Sequence, residues 1–292
     1  MEELEELDMF VYFRVTSKYL MLDAVGDIAF NQSFDQLESG HDHQYVIDFN
    51  NAFTLIGLVS ARTPSGTLAH TPIKQNTFSW LVPFIPFLPS KRLREAKLGL
   101  GRLFEYSQAR VREFVDSGGS SNSLLRAYLD PKTGQPKPPY SQWSIALAGH
   151  GFIVAGSESS AITLTYILWL LIRHPAMQRK LREELKTLQP GYTISDLSAL
   201  PYLDAVVKET LRVYPPAPAP MPRVVPPEGL TLKNVTLPPK TIISAQPYSI
   251  HRDPKIFVDP DIFNPKRWLV ADAAQKEVMA RAFVPFSAGQ RG

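Results

Sequence analysis

The 292 residues include no cysteine. That excludes disulfides, zinc sites built on Cys, thiol nucleophiles and a thiolate metal ligand among these residues. Neither sign of charge dominates: 31 Lys and Arg face 28 Asp and Glu, a net charge of +3. A nucleic-acid binder concentrates basic residues on one face, so no nucleic-acid partner is expected. Long uninterrupted apolar runs are missing too. The longest apolar stretch, residues 145–172, is broken by His150, Ser157, Glu158, Ser159 and Ser160. Its unbroken part, 161–172, falls short of the ~20 apolar residues a membrane span wants, so no transmembrane segment is expected. The acidic start, MEELEELD, is not a signal peptide, which opens basic and then turns apolar. There is no G-x-S-x-G elbow, no G-x-x-x-x-G-K-[ST] loop and no H-E-x-x-H. His41 and His43 form an H-x-H in a polar loop with no third ligand in view, and they read as solvated.

Proline, by contrast, is plentiful at 26 residues, and it clusters. The run 78–89 (FSWLVPFIPFLP) is apolar and aromatic but punctuated by Pro83, Pro86 and Pro89, so it can be neither a regular helix nor a central strand. It reads as an apolar loop, tucked against the core or lining an entrance or membrane contact. Stretches 117–123 (SGGSSNS) and 131–139 (PKTGQPKPP) are turn-rich surface loops flanking a short helix at 124–129. Between these breaks the periodicity is helical. Residues 1–30 form a helix in which Leu4, Leu7, Val11 and Val15 recur near helical spacing. A second apolar-patterned segment covers 49–59, and 91–115 is a charged amphipathic helix. Residues 142–173, ~48 Å long at 1.5 Å per residue, are apolar on nearly all sides and should run through the protein interior. Helices at 176–189 and 202–214 follow, the first burying Met177, Leu181, Leu185 and Leu188. Strand-like runs at 230–232 and 241–246 close the pattern. The fold class is mainly α with a small β-sheet, and no internal repeat is visible.

Four segments carry possible chemistry. The first is Ala155-Gly156-Ser157-Glu158-Ser159, inside the long central helix. Glycine there costs ~1 kcal/mol relative to alanine, and a carboxylate among apolar residues needs a partner or water. One explanation is a bulge that admits water and presents a proton source. The other is a close helix crossing at the glycine, with Glu158 reaching solvent. The second segment is Glu209-Thr210-Leu211-Arg212, whose acid and base share a helix face at i and i+3. The third is Phe263-Asn264-Pro265-Lys266-Arg267-Trp268. The fourth, Phe286-Ser287-Ala288-Gly289-Gln290-Arg291-Gly292, closes the chain.

In this order the four resemble the motifs of the cytochrome P-450 family of haem-thiolate monooxygenases: A/G-G-x-D/E-T/S, E-x-x-R, P-x-R-F/W and F-x-x-G-x-R-x-C-G. Pro222-Arg223-Val224 and His251-Arg252-Asp253-Pro254 also match family segments, and residues 22–30 are similar to the D/E-helix region of microsomal, particularly fungal, members. The resemblance implies a partial cytochrome P-450 catalytic domain over 1–292, running from the D/E-helix region to the start of the haem-binding loop. The axial cysteine would then follow Gly292, and no residue present would bind the metal.

The same resemblance implies haem b as cofactor and a chemistry of hydroxylation or epoxidation of a lipophilic small molecule. It implies electrons from NADPH–cytochrome P-450 reductase or a similar donor, at the cytoplasmic face of the endoplasmic reticulum membrane. Residue by residue it implies a proton relay at Glu158 and Ser159, with Ser in place of the usual Thr, and an oxygen groove flanked by Ala155 and Gly156. It implies a structural ion triad of Glu209, Arg212 and Arg267. Arg223 and Arg291 match propionate-binding arginines, Phe286 a residue on the proximal side, and Gly289 the glycine that permits a tight loop. Two alternatives stand beside this reading: a haem-free, non-catalytic remnant or interaction protein, and a haem-thiolate isomerase or dehydratase of oxygenated lipids.

Overall fold

A computed structural model describes residues 2–49, 51, 90–116 and 123–288. The apolar loop 78–89, most of the segment expected at 49–59, and Gly289 and Arg291 lie outside the described residues. Helices dominate: α1 (Glu2–Phe30), α2 (Lys91–Asp116), α3 (Gln142–Arg173), α4 (Pro175–Leu185), α5 (Pro201–Val213) and α6 (Ala273–Ala282), alongside several helices of four or five residues. Four short strands follow α5: β1 (Met221–Val224), β2 (Leu230–Leu232), β3 (Val235–Leu237) and β4 (Ile242–Ala245). They make two separate antiparallel pairs, β1 with β4 (Met221 opposite Ala245) and β2 with β3 (Leu230 opposite Leu237). The chain divides into two compact units, residues 18–158 and residues 1–17 with 159–292.

In the unit 18–158 the core is built from Leu22, Ala29 and Phe30 of α1, Leu103, Val111 and Phe114 of α2, and Ile145, Ala146 and Ile153 of α3. The Asp23 carboxylate accepts hydrogen bonds from the amides of Gln36 and Leu37, at 3.0 and 2.9 Å. It thereby caps a one-turn helix whose own first amides lack intrahelical partners. The rings of Phe34, His43, Tyr45 and Tyr106 gather in one aromatic cluster. His43 is therefore half-buried and accepts a bond from the Tyr45 amide at its Nδ1, which corrects its reading as a solvated residue. Asp48, 2% exposed, is paired with Arg102. The apolar stripe Leu7, Val11 and Val15 of α1 turns outward, exposed by 57, 51 and 43%; the helix forms as expected, but along its 18–30 stretch it buries Leu22, Asp23, Ala29 and Phe30 instead.

In the other unit, Leu170 and Leu171 of α3, Leu181 of α4, Tyr202, Val206 and Val213 of α5 and Phe263 form a second core. Tyr166 and Tyr214 stack at 4.1 Å with 4° between their planes, and Phe10 meets Tyr166 edge-on. Glu184 places its carboxylate on the amides of Tyr202 and Leu203, both at 2.8 Å. That capping fixes the start of α5 at Pro201, where a missing N–H costs nothing. Helix α4 ends at Leu185 rather than 189: Thr187 Oγ1 donates to the Glu184 carbonyl at 2.7 Å, and Leu185 stays 36% exposed. Strand β1 carries Pro222, which an edge strand tolerates.

Helix α3 departs from its expectation in two ways. It is less buried than its composition suggests, since Trp143, Leu147, Gly151 and Ala155, four residues apart, lie on an exposed stripe. It is also long and apolar enough to cross a membrane by length and composition, with a mean hydropathy of 1.3 over its best 18 residues. Within it, Ser157, Thr163 and Thr165 turn their hydroxyls back onto the carbonyls of Ile153, Ser159 and Ala161, which satisfies those polar groups inside the helix. The same helix feeds Ile145, Ile153, Leu170 and Leu171 into the two cores.

Two glycines of α3 differ in what surrounds them. A Cβ at Gly149 would lie 2.8 Å from Phe30 Cζ, while one at Gly151 would meet nothing within 4 Å. Substituting Gly149→Ala therefore overpacks a filled core, at ~1–3 kcal/mol, against a helix-propensity gain of ~1 kcal/mol. Gly151→Ala keeps only the gain. The expected outcome in urea titration is a lower unfolding midpoint for Gly149→Ala and a raised midpoint for Gly151→Ala.

Candidate functional site

The site grows from one buried carboxylate. Helix α5 has a strongly two-sided sequence, and its inner face carries Ala205, Val206, Glu209, Thr210, Arg212 and Val213. Glu209 and Arg212 have no solvent exposure, and Arg267 has 9%. An ionised carboxylate taken out of water is costly unless its lone pairs are met. Here they are met by five donors. Oε1 accepts from Arg212 Nη2 (2.8 Å), Arg267 Nε (2.9 Å) and the Asn264 amide (2.9 Å). Oε2 accepts from Arg212 Nε (2.9 Å) and Trp268 Nε1 (3.0 Å). The i, i+3 spacing puts Arg212 on the face of Glu209 for a bidentate fork, and the one-turn helix Arg267–Val270 delivers the second guanidinium and the indole.

The arginines do more than neutralise Glu209. Arg212 Nη1 donates to the carbonyls of His251 (2.8 Å) and Pro260 (2.6 Å), and Nη2 also reaches Ile262 (3.3 Å). Its face lies over the Phe257 ring, 5.2 Å from the centroid. Arg267 donates to the carbonyls of Val258, Asp259 and Ile262. The irregular segment 251–264 is thus held by two guanidinium forks, which satisfy carbonyls that no helix or sheet satisfies.

Next to the triad sits His251, also without solvent exposure. Its Nε2 accepts from the Val284 amide at 2.9 Å, and its Nδ1 faces the Arg212 carbonyl at 3.2 Å. An amide can only donate, so Nε2 carries no proton and Nδ1 holds it. Burial, with the nearby Arg212 and Arg252 charges, pushes its pKa down to about 4.

Beyond Val284 a cleft of about 370 Å³ opens between β1, β4 and the last described residues, lined by Arg223, Ile243, Ala245, Ile250, Val284 and Ala288 among others. Arg223 lies exposed on its rim, with Nη2 3.4 Å from Ser287 Oγ. Phe286 is 68% exposed, so the described residues leave most of its ring uncovered.

The sequence segment around Glu158 sits inside α3, which is α-helical throughout 142–173; the expected bulge is not there. Ser157 Oγ donates to the Ile153 carbonyl at 2.6 Å within the regular helix, which satisfies the hydroxyl without opening the ladder. Gly156 is explained by packing instead: a Cβ there would stand 2.9 Å from Val25 Cγ2 of α1, the close crossing that was the other expectation. Glu158 and Ser159 are half-buried, Gly156 is half-buried and Ala155 is exposed.

The structure brings Glu209, Arg212 and Arg267 together with three neighbours to which sequence reasoning gave no role. Asn264 and Trp268 stood in the same six-residue segment as Arg267, and an indole beside a buried ion pair is a natural donor. His251 stood in a matched segment without a role; its buried setting leaves no periodic signal.

A haem site asks this region for a thiolate, an apolar cleft and cations for two carboxylates. The cleft and Arg223 suit the rim of such a group. The iron ligand is not among the 292 residues, which contain no cysteine, and His251 has both ring nitrogens engaged. Among the described residues, no cluster of three or more metal-ligating side chains occurs. The residues present therefore fit the periphery of the group and not its metal.

Two outcomes follow. Glu209→Gln keeps the shape but leaves two guanidiniums buried without an anion, a loss of ~3–5 kcal/mol, read as a large fall in the urea midpoint with α5 unfolding cooperatively. For His251, the pKa is about 4 folded and ~6.5 unfolded. The unfolded state then binds the extra proton first, so the stability contributed by neutral His251 is full above pH ~6.5 and is lost as pH falls through about 4. A His251→Gln variant should flatten that part of the stability–pH curve measured by urea titration.

The family profile described as cytochrome P450 matches residues 6–292. Cytochrome P450 monooxygenase tazI of Aspergillus terreus is 33% identical over 277 residues, covering 94% of this chain and 53% of that protein. Tryprostatin B 6-hydroxylase of Aspergillus fumigatus is 31% identical over 277 residues, covering 91% and 44%. The chain thus spans about half the length of the curated relatives it matches. Among solved structures, the haem domain of cytochrome P450DA shares the fold at a TM-score of 0.70 and 19% identity, over 99% of this chain and 61% of that one. Haem is the cofactor of the family so matched. With a buried acid–arginine triad on α5 and the mainly helical fold around it, the chain belongs to the cytochrome P450 family.

Proposed function

We propose that the protein these residues form is a haem-dependent monooxygenase that hydroxylates or epoxidises a lipophilic small molecule. The observation that carries the reading is the five-donor assembly on Glu209, which joins two of the four sequence motifs in one buried cluster. Similarity to a named hydroxylase, tryprostatin B 6-hydroxylase, supports the reaction class. Bound haem supplies the activation of dioxygen, with electrons delivered by a reductase of the NADPH–cytochrome P450 type.

The chain's own residues have narrower tasks. Glu209, Arg212 and Arg267 brace the proximal side and act structurally, since all three are buried in hydrogen bonds to protein. Arg223 and Arg291 bind propionates through charge-assisted bonds; Phe286 covers the proximal side and Gly289 permits the loop that follows. Glu158 and Ser159 hold and pass a proton along α3, where an acid and a hydroxyl one residue apart provide an acceptor and a rotatable donor. Ala155, small and exposed, and Gly156, whose Cα side packs against Val25, flank the oxygen groove beside the helix. The working site is the cytoplasmic face of the endoplasmic reticulum membrane.

The absence of cysteine favours one second reading, a haem-free protein without catalysis. Sequencing the native transcript past the Gly292 codon, then recording the reduced, carbon-monoxide-bound spectrum of the encoded protein, separates the two. A cysteine codon and the family's thiolate-type band are expected. A haem-free product, or one whose spectrum lacks that band, overturns the monooxygenase reading.

A further inference from the structure

We propose that His251 is a positioning residue that hangs the Val284 amide from the carbonyl of Arg212 and so sets the wall of the cleft formed by residues 284–288. The inference deepens the monooxygenase reading and rests on it only in taking that wall as the approach to the haem-binding loop.

The geometry is specific. Helix α6 ends at Ala282, and the Phe283 amide makes its last helical bond to the Met279 carbonyl at 2.9 Å. The next amide, that of Val284, leaves the helix and points at His251 Nε2 at 2.9 Å. A buried N–H without a partner costs roughly what a lost hydrogen bond costs; the imidazole removes that cost and fixes the direction in which the chain departs. On the far side of the ring, Nδ1 is held by the Arg212 carbonyl at 3.2 Å, and Arg212 is itself held by Glu209. The Phe283 ring stacks on His251 at 5.6 Å, with Trp268 edge-on against Phe283 at 5.1 Å. The ring therefore cannot swing away without breaking two polar contacts and an aromatic one. Val284 and Ala288 line the cleft, and Ser287, which follows two residues after Pro285, faces Arg223 across it. One imidazole couples the carbonyl of a triad residue to the position of that wall.

The two ring nitrogens can be tested separately. Asparagine places an amide N–H near Nδ1 and nothing acceptor-like at Nε2; glutamine is long enough to place a carbonyl oxygen near Nε2. Hydrogen exchange followed by mass spectrometry on the whole protein reads the peptide spanning 283–288, with the α5 peptide 206–213 as internal reference. In His251→Asn the 283–288 peptide should exchange about tenfold faster, the loss of one hydrogen bond, while 206–213 is unchanged. His251→Gln should return 283–288 to within about threefold of the parent. Equal exchange in the parent and the Asn variant overturns the proposal. So does parallel loosening of both peptides in both variants, which marks a general packing role.

The carbon-monoxide spectrum of the same preparations separates this from the functional reading. A parent protein without the thiolate-type band defeats the monooxygenase reading and leaves the exchange result to stand for the coupling. A parent with the band and an Asn variant matching it in both spectrum and exchange defeats the coupling alone.

Discussion

A carboxylate with no access to water organises the second half of this chain. Glu209 would be an expensive residue anywhere in a protein interior; here two guanidiniums, an indole and a backbone amide surround it. Once the two arginines are committed to that anion, their remaining N–H groups are committed too. All five N–H positions of Arg212 have an acceptor: two oxygens of Glu209 and the carbonyls of His251, Pro260 and Ile262. Segment 251–264 has little regular structure because it does not require any. Its carbonyls are satisfied by side chains rather than by a ladder, which is how an irregular stretch can be both buried and fixed.

Helix α3 illustrates a different constraint. Its apolar composition is shared among two cores and an exposed stripe at Trp143, Leu147, Gly151 and Ala155. The glycines divide in the same way. Gly149 and Gly156, two turns apart, make room for Phe30 and Val25 of α1, whereas Gly151 faces open space. One helix thus carries glycine for close approach on one side and for no packing reason on the other.

The legible part of the sequence was the part with local spacing. Helices α2, α3 and α5 are visible from apolar periodicity and proline stops, and the Glu209–Arg212 pair from its i, i+3 register. The third triad member, Arg267, lies 58 residues from Glu209 and was reached through the family resemblance, since no periodicity spans such a separation. Burial was the least legible property. Leu7, Val11 and Val15 repeat as a core stripe would, yet face outward, because which face of α1 is covered depends on distant residues. Strand β3 was missed for a related reason: Val235–Leu237 is three residues long and pairs only with β2 across a tight turn at Lys233, whose φ is +53°. His43 and His251 were opaque for want of any pattern; each is made by the rings and carbonyls that close around it.

The donors around Glu209 also differ in how far along the chain they lie. Arg212 is within one helical turn of Glu209 and can pair with it as soon as α5 forms. The Asn264, Arg267 and Trp268 donors arrive from 55, 58 and 59 residues away. Closing so long a loop has an entropic cost that only the completed cluster repays. Without the returning segment, Glu209 on the inner face of α5 would lack three of its five donors. The charge is sealed from water only where that long-range closure is complete, and both antiparallel strand pairs lie within the loop it closes.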